Sequence, residues 1–155
     1  MALMAEGADI LVCGLIIASP SGWLLAHRTR SPWWDLPKGR QDPGERPIET
    51  ALRECREETG LDLESHRLLI QDLGVATYSL RRQKQLHLFR LDLAAPVTLS
   101  DCKSVTRQGP LGERLPEMDG FAWVAEEKVV HYVRPRMAKH LRTRGLVRDI
   151  TLLPQ

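Results

Sequence analysis

Glu54, Glu57 and Glu58 stand at i, i+3 and i+4, just after Arg53 and just before Gly60. On a helix turning about 100° per residue this spacing gathers the three side chains on one face. Carboxylates that close repel one another, and each raises its neighbour's pKa unless a cation compensates. A cluster of hard oxygen donors is what Mg²⁺ or Mn²⁺ requires, and such ions bridge protein carboxylates and substrate phosphates. The plain alternative is a solvated acidic face, with Arg53 and Arg56 interleaved as ion-pair partners. Other chemistry finds no support. There is no P-loop, no GxGxxG after a strand and no nucleophile elbow. The five histidines do not pair at ligand spacing, and Cys13, Cys55 and Cys102 form no CxxC pair, which argues against a zinc cage or a disulfide framework.

The carboxylates need a helix to carry them. From Pro47 the apolar residues Ile48, Ala51, Leu52 and Cys55, with Thr59, recur at steps of three and four. Pro47 suits a first helical turn and Gly60 the position just past a helix end. The acidic face should then lie opposite the apolar stripe through Ala51 and Cys55. Before the helix, Ile10–Ala18 reads as a buried strand, and Trp23–His27 as its hairpin partner across a Pro/Gly turn. Residues 30–46 are broken by Pro and Gly, with one short extended piece at Trp34–Leu36. After the helix, strands are expected at His66–Tyr78 and Gln85–Leu93, joined by the basic turn 81–84. A long loop over 96–118, a short strand at Phe121–Val124 and a helix from Glu126 to about Arg144, broken near Pro135, complete the chain.

The chain has 155 residues, 43% hydrophobic and 27% charged, the balance of one globular domain over 1–155. A net charge of +2 is too mild to make nucleic acid or membrane the main partner. The longest apolar run is shorter than a spanning helix needs. Glu6 and Asp9 stand where a secretory leader would be basic, so a cytoplasmic protein with reduced thiols is expected.

The spacing around the three glutamates resembles the Nudix box, Gly-x5-Glu-x7-Arg-Glu-U-x-Glu-Glu-x-Gly-U, where U is bulky and aliphatic. Gly39, Glu45, Arg53, Glu54, Glu57, Glu58, Gly60 and Leu61 all fall in register, and Cys55 at the first U position is the one departure. The resemblance implies an α/β fold, a Nudix-type α/β/α sandwich around a mixed β-sheet. It also implies hydrolysis of a nucleoside diphosphate linked to another moiety, with Mg²⁺ or Mn²⁺. By that resemblance Glu54, Glu57 and Glu58 hold metal, with the Gly39 carbonyl as a backbone ligand. One of the glutamates takes the water's proton, and Arg53 and Glu45 orient the others.

Outside the box, Tyr78, Lys84 and the Leu36-Pro-Lys38-Gly39 lead-in resemble features of the family's dinucleoside polyphosphate hydrolases, with Tyr78 and Lys84 near the substrate. Glu117, before the last strand, resembles an extra glutamate that completes the metal site from a loop. The expected substrate is therefore a small nucleotide polyphosphate of the diadenosine tetraphosphate type, hydrolysed by a monomer or homodimer. A MutT-like nucleoside triphosphate pyrophosphohydrolase, an RNA 5′ pyrophosphohydrolase and a non-catalytic nucleotide-binding module are the alternatives. Arg134, Arg136, Lys139, Arg142, Arg144 and Arg148 make the C-terminal region basic, which suits RNA 5′ ends. A solvated face explains the same charges, and no aromatic platform accompanies them in sequence.

Overall fold

The computed structural model describes residues 9–148. Glu6, on which the leader argument partly rests, lies outside them.

The apolar run does form a strand, β1 (Ile10–Ser19), and both of its faces are covered. Val12, Ile16 and Ala18 point into one core with Leu86 and Leu88, while Cys13, Leu15 and Ile17 point into another with Phe89 and Leu91. This is why the segment reads as continuous rather than alternating hydrophobicity. β2 (Gly22–Arg28) follows across the turn, but β1 and β2 pair only at Ala18–Trp23 and Ser19–Gly22. Beyond that they part, and two short strands, β3 (Trp34–Asp35) and β4 (Lys38–Arg40), enter the opening. β4 pairs with Val12–Gly14 of β1, and β3 pairs with Ala26 and His27 of β2. The expected simple hairpin is thus a splayed one, and β4 is a strand the Pro/Gly content concealed.

Helix α1 (Pro47–Thr59) has the boundaries expected of it. β5 (Gln71–Ser79) and β6 (Lys84–Asp92) form an antiparallel pair, and β6 runs parallel to β1 along its length. The first residues of the strand expected at His66–Tyr78 instead form a 3₁₀ turn over Glu64–Leu69, with Leu68 and Leu69 exposed. The 96–118 segment is not all loop. It holds a 3₁₀ turn at Leu99–Asp101 and a small hairpin of β7 (Thr106–Gln108) and β8 (Arg114–Pro116). β9 (Met118–Val124) begins earlier than expected and pairs with β2. A 3₁₀ turn (Glu126–Lys128), α2 (Val129–Tyr132) and α3 (Pro135–Thr143) fill the stretch expected as a broken helix, and the break falls just before Pro135 as expected.

The result is a seven-stranded mixed sheet sandwiched between helices. Ala51, Leu52 and Cys55 of α1 cover one face, and Val129, Val130, Met137, Ala138 and Leu141 of α2 and α3 cover the other. Among the described residues no helix is long and apolar enough to cross a membrane.

Candidate active site

α1 is fixed at both ends. Arg46 precedes it in extended conformation, its backbone N–H donating to Glu49 Oε2 at 3.2 Å. Gly60 ends it at φ 78°, and a Cβ there would meet the Lys103 carbonyl oxygen at 2.8 Å. Only glycine satisfies both the left-handed turn and that close approach. The register of the helix is therefore set, and with it the direction of each carboxylate.

Of the three carboxylates, Glu57 lies opposite the apolar stripe as expected, but Glu54 and Glu58 do not. Glu58 is only about 60° around the helix from Cys55, since three residues turn about 300°. Glu58 is 1% exposed and Glu54 9%, both packed at the flank of the stripe. Gly39 of β4 makes room for Glu54, because a Cβ at residue 39 would meet its carboxyl carbon at 2.1 Å. Lys38 donates its backbone N–H to Glu58 Oε1 at 3.3 Å. The other oxygen, Glu58 Oε2, is buried without a hydrogen-bond partner. Burial pushes the Glu58 carboxyl well above the usual range, helped by the nearby charges of Asp35, Glu117 and Glu54. Burial also raises Glu54, with Arg53 opposing and Glu57 adding to the rise.

Arg53 is the hub. Its Nε donates to Glu45 Oε2 at 2.7 Å and its Nη2 to Glu45 Oε1 at 3.0 Å, a bidentate pair. Nη1 reaches Glu54 Oε1 at 2.9 Å and Glu57 Oε2 at 3.3 Å, and Nη2 also reaches the Arg40 carbonyl at 3.0 Å. Hydrogen bonding to Arg53 holds Glu45 down at about 2. Glu45 Oε1 further accepts from the Asp42 backbone N–H and the Thr50 hydroxyl. Glu45 and Arg53 thus form a brace beside Glu54 and Glu57, tying the loop before α1 to its first two turns.

Glu117 is already at the cluster. Its N–H donates to the Val105 carbonyl at 2.9 Å and its carbonyl accepts from Thr29 N–H at 3.2 Å. Its carboxylate meets Arg107 Nε at 3.4 Å, and Arg107 Nη2 meets Glu57 Oε2 at 3.3 Å. Among the described residues no three carboxylate, imidazole or thiol groups meet at metal-ligand geometry. Guanidinium groups stand between them instead. The donor chemistry nonetheless fits a divalent cation: Glu54, Glu57, Glu58 and Glu117 are all hard oxygen donors, and one buried oxygen has no partner.

Lys38, Tyr78 and Lys84 come together as well. All three line a cleft of about 550 Å³ with Arg28, Trp33, Asp35, Arg82, Arg134, Pro135 and Arg136. Lys38 Nζ lies 3.0 Å from Asp35 Oδ2 and 6.0 Å from the centre of the Tyr78 ring. Burial opposes its charge, but Asp35 and the neighbouring acids outweigh it, and its pKa rises. Burial and the surrounding cations lower that of Lys84. The sequence reading missed Arg28, Trp33, Asp35 and Arg82 as cleft residues, and Arg107 at the carboxylates. It treated Arg134 and Arg136 as a solvated face without an aromatic, whereas the fold sets Trp33 and Tyr78 beside them.

Comparisons with known proteins identify the family and the fold. The NUDIX domain model matches residues 10–143. The nucleoside triphosphatase NudI of Escherichia coli is 32% identical over 119 residues, covering 74% of this chain and 77% of its own. Among solved structures, a MutT protein from Methanosarcina mazei superposes with a TM-score of 0.58 at 20% identity, over 91% of this chain and 96% of its own. A C. elegans Ap4A hydrolase gives 0.57 at 21% identity, over 87% and 96%. On its box, its fold and these matches, the chain belongs to the Nudix family of hydrolases.

Proposed function

We propose that residues 1–155 form one hydrolase domain that cleaves a phosphoanhydride bond in a nucleoside 5′-polyphosphate, with a mononucleoside triphosphate as its substrate. The observation that carries this reading is Lys38, which joins two sites. Its backbone N–H holds Glu58 of the carboxylate helix, and its side chain stands in a cleft lined by six cationic residues and one acid, Asp35. A triphosphate lying in that cleft has its anionic chain against Arg28, Lys38, Lys84 and Arg136 and one end at the glutamates.

Glu54, Glu57, Glu58 and Glu117, with the Gly39 carbonyl, are the groups that would hold Mg²⁺ or Mn²⁺. A bound ion supplies charge neutralisation for the anhydride and lowers the pKa of the attacking water. The chain's own part is positional. The Glu45–Arg53 brace fixes Glu54 and Glu57, and one of the helix glutamates accepts the water's proton. Water's oxygen forms a new bond to phosphorus while a bridging P–O bond breaks, leaving a nucleotide and a phosphate-bearing product.

Base recognition favours one nucleoside. The Tyr78 ring is boxed by Lys38 and, edge-on at 5.6 Å, by His140. Among the described residues of the cleft this leaves Trp33 as the aromatic platform. The name of the NudI relative supports a triphosphate too. A dinucleoside polyphosphate is the second reading, favoured by the convergence of Lys38, Tyr78 and Lys84 in one cleft. Purified protein assayed with Mg²⁺ and Mn²⁺ on nucleoside triphosphates, diadenosine tetraphosphate and 5′-triphosphorylated RNA tests both. Highest kcat/KM on a triphosphate, abolished by chelation, is the expected result. Highest kcat/KM on the dinucleotide transfers the proposal to the second reading, and no metal-dependent turnover on any of the three overturns both.

A further inference from the structure

Arg107 sits on β7 with its guanidinium between two glutamates from different elements, Glu57 of α1 and Glu117 before β9, at 3.3 and 3.4 Å. Its side chain is 59% exposed while theirs are 26% and 22% exposed, so it covers them from the solvent side. The hairpin that carries it is anchored at its base and tip. Val105 N–H donates to the Glu57 carbonyl at 2.8 Å and Lys103 N–H to the Thr59 carbonyl at 2.9 Å, which docks the strand on the last turn of α1. The Ser104 hydroxyl bonds both the N–H and the carbonyl of Met118. At the tip, Glu113 meets Arg30 at 2.8 Å. With these anchors fixed, the long Arg107 side chain is free to turn away without moving the backbone that holds it.

We propose that Arg107 is a built-in counter-cation of the carboxylate cluster, competing with the divalent ion for Glu57 and Glu117 and swinging clear of both when the ion binds. The proposal rests on the reading of those glutamates as metal ligands. The cluster is more than a patch of acids, because the buried and unpartnered Glu58 oxygen belongs to it and feels the Glu117 charge. A guanidinium on a carboxylate occupies lone pairs and repels a second cation; Arg53 is braced by Glu45 and stays in place, whereas the exposed Arg107 is the one an incoming ion can displace. Every ion that binds therefore does so against two Arg107 contacts. The device keeps Glu57 and Glu117 compensated in the metal-free protein and raises the divalent-ion concentration at which the site fills.

The test is Mn²⁺ binding to the substrate-free protein, read by electron paramagnetic resonance, for wild type, Arg107→Ala and Arg107→Lys. Two partly exposed ion pairs together correspond to about a five- to tenfold change in affinity, so Arg107→Ala should bind Mn²⁺ that much more tightly. Arg107→Lys keeps a charge but loses the two-pronged reach, and should fall between the two. Raising NaCl should weaken Mn²⁺ binding more in Arg107→Ala than in wild type, since in wild type salt also weakens the pairs that compete with the ion. Unchanged or weaker Mn²⁺ binding by Arg107→Ala, with wild type binding normally, overturns the proposal and leaves the metal reading intact. Absence of Mn²⁺ binding in all three proteins overturns the metal reading, and this proposal with it.

Discussion

Glu58 combines two properties that seldom occur together, near-complete burial and an oxygen with no partner. A buried carboxylate in that state costs stability unless it is protonated or ligated. In the metal-free protein its raised pKa means the folded state takes up a proton more readily than the unfolded chain. Stability should therefore rise as pH falls from neutral toward 4.5, the ordinary carboxylate value, and fall again as pH rises. Glu58→Gln removes that dependence. The difference between wild type and mutant in urea unfolding, measured in chelator at pH 7.5 and 5.5, isolates Glu58 from other titrating groups such as His140. A difference that does not shrink at the lower pH refutes the assignment. In saturating Mg²⁺ the same mutant, like Glu57→Gln, should lose turnover by about a hundredfold or more, because an amide is a weak ligand and a metal contributes several kcal/mol to the transition state. Near-wild-type kcat in either would remove that residue from the ligand set. Arg53 is a different kind of residue. Its bonds to Glu45, Glu54 and Glu57 compensate charge without itself reaching the cleft.

At the scale of elements, the decisive contact is β4 against α1. It is close because residue 39 lacks a Cβ, and the atoms that a Cβ would strike are the carboxylate end of Glu54. The end of a flexible side chain can move aside at little cost, so Gly39→Ala should fold with nearly wild-type thermal stability. The displaced Glu54 would then lose its place beside Arg53, and Mn²⁺ affinity should drop about tenfold or more, as when the support of a ligand is removed. A mutant that binds metal normally would show that the glycine serves the backbone rather than the carboxylate. α1 was legible in sequence because its two ends carry Pro47 and Gly60 and its buried residues recur with helical spacing. β4 was not, because Lys38–Arg40 is three residues long and sits among prolines and glycines. The β7–β8 hairpin left no sequence signal either. Thr106, Arg107 and Gln108 are all exposed, so no apolar alternation marks the strand. Side chains from elsewhere hold it, through Arg30–Glu113 and the Thr29 hydroxyl donating to Pro116. Those contacts also hold Glu117, expected on a long loop, beside α1.

Across the whole molecule, a net charge of +2 conceals a strong separation of charge. Lys38 stands at the boundary, with the glutamates of α1 and Glu117 on one side and Arg28, Arg82, Lys84, Arg134 and Arg136 on the other. The acidic half was readable because its glutamates fall largely within one contiguous motif. The basic half was not, because its residues come from the end of β2, the β5–β6 turn and the start of α3, which only the sheet topology brings together. Arg134 and Arg136 flank Pro135, whose fixed backbone starts α3 and aims both toward the cleft mouth. If they act by attracting and holding the polyphosphate, their contribution is the same in ground and transition states. The double substitution Arg134→Gln with Arg136→Gln should then raise KM about tenfold and leave kcat within about twofold. Salt should also matter less to the mutant. Wild-type KM should climb steeply between about 50 and 200 mM NaCl, as the screening length shrinks to roughly 7 Å, and the mutant's should climb less. Both mutations lie on an exposed helix start, so folding is not at issue. A fall in kcat with KM unchanged would place these arginines at the reacting phosphate, and equal salt dependence in both proteins would separate the cleft from substrate capture altogether.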